Sequence, residues 1–222
     1  MRRHPDRRFD LIVFDWDGTL ADSTQVIAAA LQAACRDVGE PVPDDRAARY
    51  VIGLGLKDAL MHVAPSLPAA RYPDIALRYR DHYLARDPEI PLFDGARALL
   101  GDLRDAGYRL GVATGKTRVG LDRALRTQAL TDAFDSTRCA DEGQPKPHPD
   151  MLLRLMERLD VAPDRTLMIG DTTHDIALAH AAGASALAVA YGAHDTDGLH
   201  AADPLAIVAS VADLRGWLVR HG

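Results

Sequence analysis

Short, uninterrupted apolar runs recur along this 222-residue chain at residues 11–14, 109–113, 166–169, 186–190 and 206–208. A strand covered on one face alternates apolar and polar side chains, whereas a strand covered on both faces is continuously apolar. Stretches of helical periodicity at 96–106, 119–130, 151–159 and 176–182 lie between these runs. Doubly buried strands separated by helices predict an α/β fold built on a parallel sheet with helices on both faces.

Residues 21–91 break that rhythm. The interval is too long for a crossover and carries no convincing strand. Val26, Ile27, Ala30, Leu31 and Ala34 keep one helical stripe, Leu56, Ala59, Leu60 and Val63 a second, and Ile75, Tyr79, Tyr83 and Leu84 a third. An inserted, all-helical cap over 21–91 accounts for them and leaves 1–20 and 92–222 as the α/β core. The expected hinges are Ala21-Asp22-Ser23 and the segment 87–91, where proline cannot continue a helix.

Composition narrows the setting. Hydrophobic residues make up 47% of the chain, enough to bury a core. The formal charge of -6 leaves no basic surplus for a phosphate backbone, so nucleic acid is not the expected partner. Cys35 and Cys139 form neither a CxxC pair nor a disulfide framework, which points to a reducing compartment, the cytoplasm. The basic segment 1–8 is expected to be a solvated leader, and no apolar stretch is long enough to span a membrane.

Chemistry-bearing residues cluster where the predicted strands end. Asp15-Trp16-Asp17-Gly18-Thr19-Leu20 follows the first strand, and Thr114-Gly115-Lys116 the second. Gly170-Asp171-Thr172-Thr173-His174-Asp175 follows the run at 166–169, and Lys146 stands among the prolines of 144–149. Ligands of open α/β sheets gather at these carboxyl ends. Adjacent carboxylates repel unless a cation or a shared proton relieves them. Oxygen donors without a thiolate or histidine cluster suit a hard cation, and magnesium is the usual one beside phosphate. Lysine, threonine hydroxyl and metal together supply the charge neutralisation that phosphoryl transfer needs, and a carboxylate can itself be the nucleophile.

These motifs resemble, in order and spacing, the four signature motifs of the haloacid dehalogenase superfamily, and the chain is similar to its phosphoglycolate phosphatase-like branch. The DxDGT(L/V) pattern is met by 15–20, the Ser/Thr motif by Thr114, the lysine motif by Lys146 and GDxxxD by 170–175. The resemblance implies a Rossmann-like core with a helical cap and a phosphatase acting on a small phosphorylated metabolite, as monomer or homodimer. It further implies that Asp15 attacks phosphorus while Asp17 serves as acid and then base. Mg2+ would be held by Asp15, the Asp17 backbone carbonyl and Asp171. Thr114, Gly115 and Lys146 would bind the phosphoryl group, and Asp175 would orient Lys146 or a metal-bound water. One departure lies in the second motif, which continues Gly115-Lys116-Thr117 where many relatives carry asparagine after the Ser/Thr. Asp17 argues against dehalogenation, which needs no acid there. The alternatives are a sugar phosphomutase of the same superfamily and a binding module that has lost turnover.

Other residues have plainer readings. His148 and His174 adjoin motifs without a second histidine at ligand spacing, so they are expected near the site or on the surface rather than on a metal. Residues 53–57 suit equally a loop closing over the site and an ordinary helix start. Trp16 suits packing under the cap or filling a domain junction, and Cys35 belongs to the core of the first cap helix.

Overall fold

The computed structural model describes residues 7–222, so most of the leader expected over 1–8 lies outside the described residues. Strands β1 (Leu11–Phe14), β2 (Arg109–Thr114), β3 (Ser136–Cys139), β4 (Thr166–Gly170), β5 (Ser185–Val189) and β6 (Ile207–Val208) form one sheet in the order β3-β2-β1-β4-β5-β6. All neighbours are parallel. Five strands answer to the apolar runs. The sixth, β3, is not announced by any such run, because it lies at the sheet edge and its Thr137 and Arg138 are only half-buried.

Alternate residues of β1 divide the interior in two. Ile12 and Phe14 face one core with α5 (Ala96–Asp105), α6 (Arg118–Thr127) and α10 (Val211–His221). Leu11 and Val13 face the other with α7 (Asp150–Leu159), α8 (Thr173–Ala181) and α9 (Thr196–Ala201). That division is the two-sided coverage which continuous apolar strands require.

Between β1 and α5 the described chain forms α1 (Thr24–Asp37), α2 (Asp45–Tyr50), α3 (Leu56–Val63) and α4 (Tyr72–Leu84), with short 3-10 turns and no named strand. α1 packs along α4 through its buried stripe of Ile27, Ala30, Leu31 and Ala34, with Cys35 in the same core. The two crossings into this insertion run side by side. The Asp22 amide donates to the Pro91 carbonyl at 3.0 Å, and the Phe93 amide to the Leu20 carbonyl at 2.9 Å.

The register positions the site. Phe14 stands opposite Val112 of β2 and Ile169 of β4, so one step further Asp15 lies level with Ala113 and Gly170. The chain runs outward from β1 through β2 to β3 and then crosses back to β4 on the other side of β1, which makes the mouth of β1 the point where strand order reverses. No helix among the described residues is long and apolar enough to cross a membrane.

Candidate active site

Asp15 is fully buried at the end of β1. Its Oδ1 accepts from the Trp16 amide at 2.6 Å and lies 2.9 Å from Lys146 Nζ. Its Oδ2 is buried without a hydrogen-bond partner. An unpaired anionic oxygen in the interior costs free energy, so this atom is the one left open for a cation or an incoming electrophile. Lys146, itself buried, also donates to Asp175 Oδ1 at 2.6 Å. Asp175 uses its other oxygen to accept from Thr172 Oγ1 at 2.7 Å and the Thr172 amide at 3.1 Å, closing a capping box on α8. Helix cap and lysine anchor are therefore one side chain.

Asp171 accepts from Thr19 Oγ1 at 2.7 Å and from the Ala193 amide at 2.7 Å. The loop after β1 folds tightly over it. Gly18 has φ +81°, and a Cβ there would fall 2.2 Å from Asp171 Oδ2, so both conformation and space demand glycine. Asp15, Asp171 and Asp175 each bring a carboxylate oxygen within 4.8 Å of the others. Three ionised carboxylates against the Lys146 ammonium leave two negative charges in a buried space. An all-oxygen donor set with that deficit fits a hard divalent cation.

Protonation follows the same imbalance. Burial raises the Asp15 pKa well above the usual carboxylate value, Asp175 and Asp171 add to the rise, and Lys146 opposes it. Burial works against the Lys146 ammonium, but Asp15 and Asp175 outweigh it and hold its pKa above the ordinary lysine value. Burial, then the Asp175 charge, pushes Asp171 up to about 7 from 3.8. In metal-free protein Asp171 thus holds a proton that the unfolded chain releases above pH 3.8. The stability this contributes is fully present below pH 3.8 and is lost as pH rises through about 7, on the order of 2 to 4 kcal/mol. Because Asp15 is raised as well, urea unfolding in chelator should record a smaller loss with rising pH in Asp171→Asn than in wild type; parallel pH profiles for the two proteins would contradict it.

Asp17 has a separate environment. Its Oδ1 accepts from Ser23 Oγ at 2.7 Å and pairs with Lys116 Nζ at 3.1 Å, and Lys116 in turn donates to Tyr83 Oη of α4 at 2.7 Å. Thr114 is buried at the end of β2, its Oγ1 accepting from the Lys116 amide at 3.2 Å. A Cβ on Gly115 would fall 2.5 Å from the Leu54 carbonyl oxygen and 2.7 Å from that of Gly53. The insertion is therefore seated directly on the strand-end loop. Both readings of 53–57 hold in part, because 53–55 form that covering loop and α3 begins at Leu56.

His174 is buried, and its Nε2 lies 2.9 Å from the Tyr50 carbonyl of α2. His194 Nε2 meets the same oxygen at 3.0 Å while its ring stacks on Tyr50 at 5.3 Å. These histidines tie the insertion to the core. His148 is exposed, and Trp16 is buried near Tyr83 and Ile90 at the junction. Sequence reasoning did not assign Lys116, Thr19, Ser23, Tyr83 or His194 to the site. For Lys116 the available signal was its place two residues after Thr114.

A family model for the haloacid dehalogenase-like hydrolases matches residues 12–189. The chain belongs to that family. It is 37% identical over 212 residues to the Probable phosphatase IndB of Dickeya dadantii (strain 3937), covering 93% of this chain and 92% of that protein. It is 33% identical over 190 residues to the Tyrosine-protein kinase PtkA of Mycobacterium tuberculosis (strain ATCC 25618 / H37Rv), covering 85% of this chain and 64% of the kinase. Against the phosphoglycolate phosphatase of Vibrio vulnificus (strain CMCP6), identity is 30% over 214 residues, with 92% and 93% covered. The crystal structure of a haloacid dehalogenase-like hydrolase from Bacteroides fragilis superposes with a TM-score of 0.85 at 26% identity, covering 93% of this chain and 99% of that one.

Proposed function

We propose that this hydrolase is a magnesium-dependent phosphatase that cleaves a small phosphate monoester through a phosphorylated Asp15. The observation that carries the reading is the Asp15 carboxylate, buried and gripped at Oδ1 while Oδ2 stays open, beside Asp171 and Lys146. Asp15 attacks phosphorus, and the bond from phosphorus to the ester oxygen breaks as Asp17 protonates the departing alcohol. Asp17 then takes a proton from a water that attacks the same phosphorus; the bond to Asp15 breaks and inorganic phosphate leaves.

Asp15, the Asp17 backbone carbonyl and Asp171 would hold Mg2+, which when bound neutralises phosphoryl charge. Lys146 and Thr114, with the Gly115 backbone, bind the phosphoryl oxygens, and Asp175 fixes the lysine. Ser23 and Lys116 hold the Asp17 carboxylate toward the leaving group. Residues 21–91 act as a cap whose seating on Gly115 excludes bulk water from the acyl phosphate. The relatives named phosphatase support this reading, and the buried free cysteines suit a cytoplasmic protein, monomeric or homodimeric.

Phosphate release from a panel of small esters, with magnesium or with chelator, tests the proposal. Turnover that requires the metal is expected. A well-folded protein inactive on every ester would instead favour a mutase or a binding module.

A further inference from the structure

We propose that the preferred ester carries an uncharged alcohol with an apolar or aromatic ring, rather than a short carboxylated alcohol such as glycolate. The proposal rests on the phosphatase reading and concerns what fills the space beyond the phosphoryl group.

A cavity of about 460 Å³ opens between the insertion and the core, bordered on the core side by Asp17, Gly115 and Lys116. Asp15, Thr114 and Lys146 do not line it. The space thus adjoins the group that protonates the leaving oxygen, and it is where the departing alcohol must sit. Its walls are mostly apolar, with a few charged side chains among them. Ile27 and Leu31 of α1 stand with Ile52 and Leu54, and across from the aliphatic groups α4 contributes Tyr79 and Tyr83, stacked at 5.9 Å. A pocket of this size and lining suits a ring system, whereas a two-carbon acid would leave most of it unfilled.

Charge points the same way. A carboxylate moved into this cavity needs an ionic partner to offset lost hydration. Lys116 is engaged by Asp17 and Tyr83, and Arg123 pairs with Asp87 at 2.5 Å. Arg80 and Asp141, of opposite sign, are both exposed to solvent, so among the described residues the lining offers no buried cation that lacks a partner. A neutral ring meets none of these penalties.

The test compares kcat/KM, with magnesium, for benzyl phosphate, 2-phosphoglycolate and acetyl phosphate. The first two leave as primary alcohols and differ mainly in what the cavity receives; the third reports phosphoryl chemistry without a ring. Benzyl phosphate is expected to exceed 2-phosphoglycolate by about tenfold or more. Equal or reversed preference, with acetyl phosphate still hydrolysed, would overturn the pocket assignment and leave the phosphatase standing. Inactivity on all three would overturn both. Leu56→Arg, which places a cation on the cavity wall, should cut the benzyl-to-glycolate ratio by about tenfold in protein whose circular dichroism is native. An unchanged ratio in that variant would also contradict the assignment.

Discussion

Asp15→Asn is expected to lower magnesium-dependent phosphate release by about 10⁴-fold or more, because an amide cannot form the acyl phosphate and the remaining groups offer no second nucleophile. The variant should nonetheless fold. Asp15 is a fully buried carboxylate whose charge is disfavoured by burial and by Asp171 and Asp175. Removing that charge relieves the cluster, so in chelator Asp15→Asn should withstand at least as much urea as wild type. Loss of activity with retained stability separates chemistry from folding. Activity within about tenfold of wild type would remove Asp15 from the mechanism.

The second large effect falls on stability. Lys146 Nζ is the cation that touches both Asp15 and Asp175, and all three side chains are buried. Lys146→Met leaves three buried carboxylates without that ammonium and is expected to cost about 3 to 5 kcal/mol in metal-free protein. Adding Asp175→Asn should restore part of the loss, since the amide no longer needs the lysine and can still serve the helix cap. Urea unfolding of the two single variants and the double variant measures this coupling. A cost below about 1 kcal/mol for Lys146→Met would mean that the cluster does not depend on the ion pair.

The parts of this arrangement that were legible in the sequence are those written locally. Asp15, Thr114 and Asp171 directly follow or end strands, and strands buried on both faces are marked by their own composition. Once the sheet is parallel, register alone brings these positions together. Lys146 sits on a loop rather than at a strand end, and only the order of the motifs placed it. The edge strand β3 was missed because Ser136-Thr137-Arg138-Cys139 buries too little to need an apolar run.

Contacts between insertion and core were equally hidden, for a different reason. Tyr83 reaches Lys116 across 33 residues, and His174 reaches Tyr50 across 124. Tyr83 reads as part of a helical stripe and His174 as a lone histidine beside a motif. Their hydrogen bonds exist only because the cap is folded down, and periodicity within one element carries no record of what that element will meet.

The central claim is a covalent phosphoryl group on Asp15, and reductive trapping tests it most directly. Borohydride added during turnover reduces an acyl phosphate to the alcohol, which peptide mass analysis can locate. The reduced side chain is expected at position 15, only when ester and magnesium are both present, and not in Asp15→Asn. Steady turnover with no reduced residue, or reduction at Asp17 instead, would contradict the mechanism.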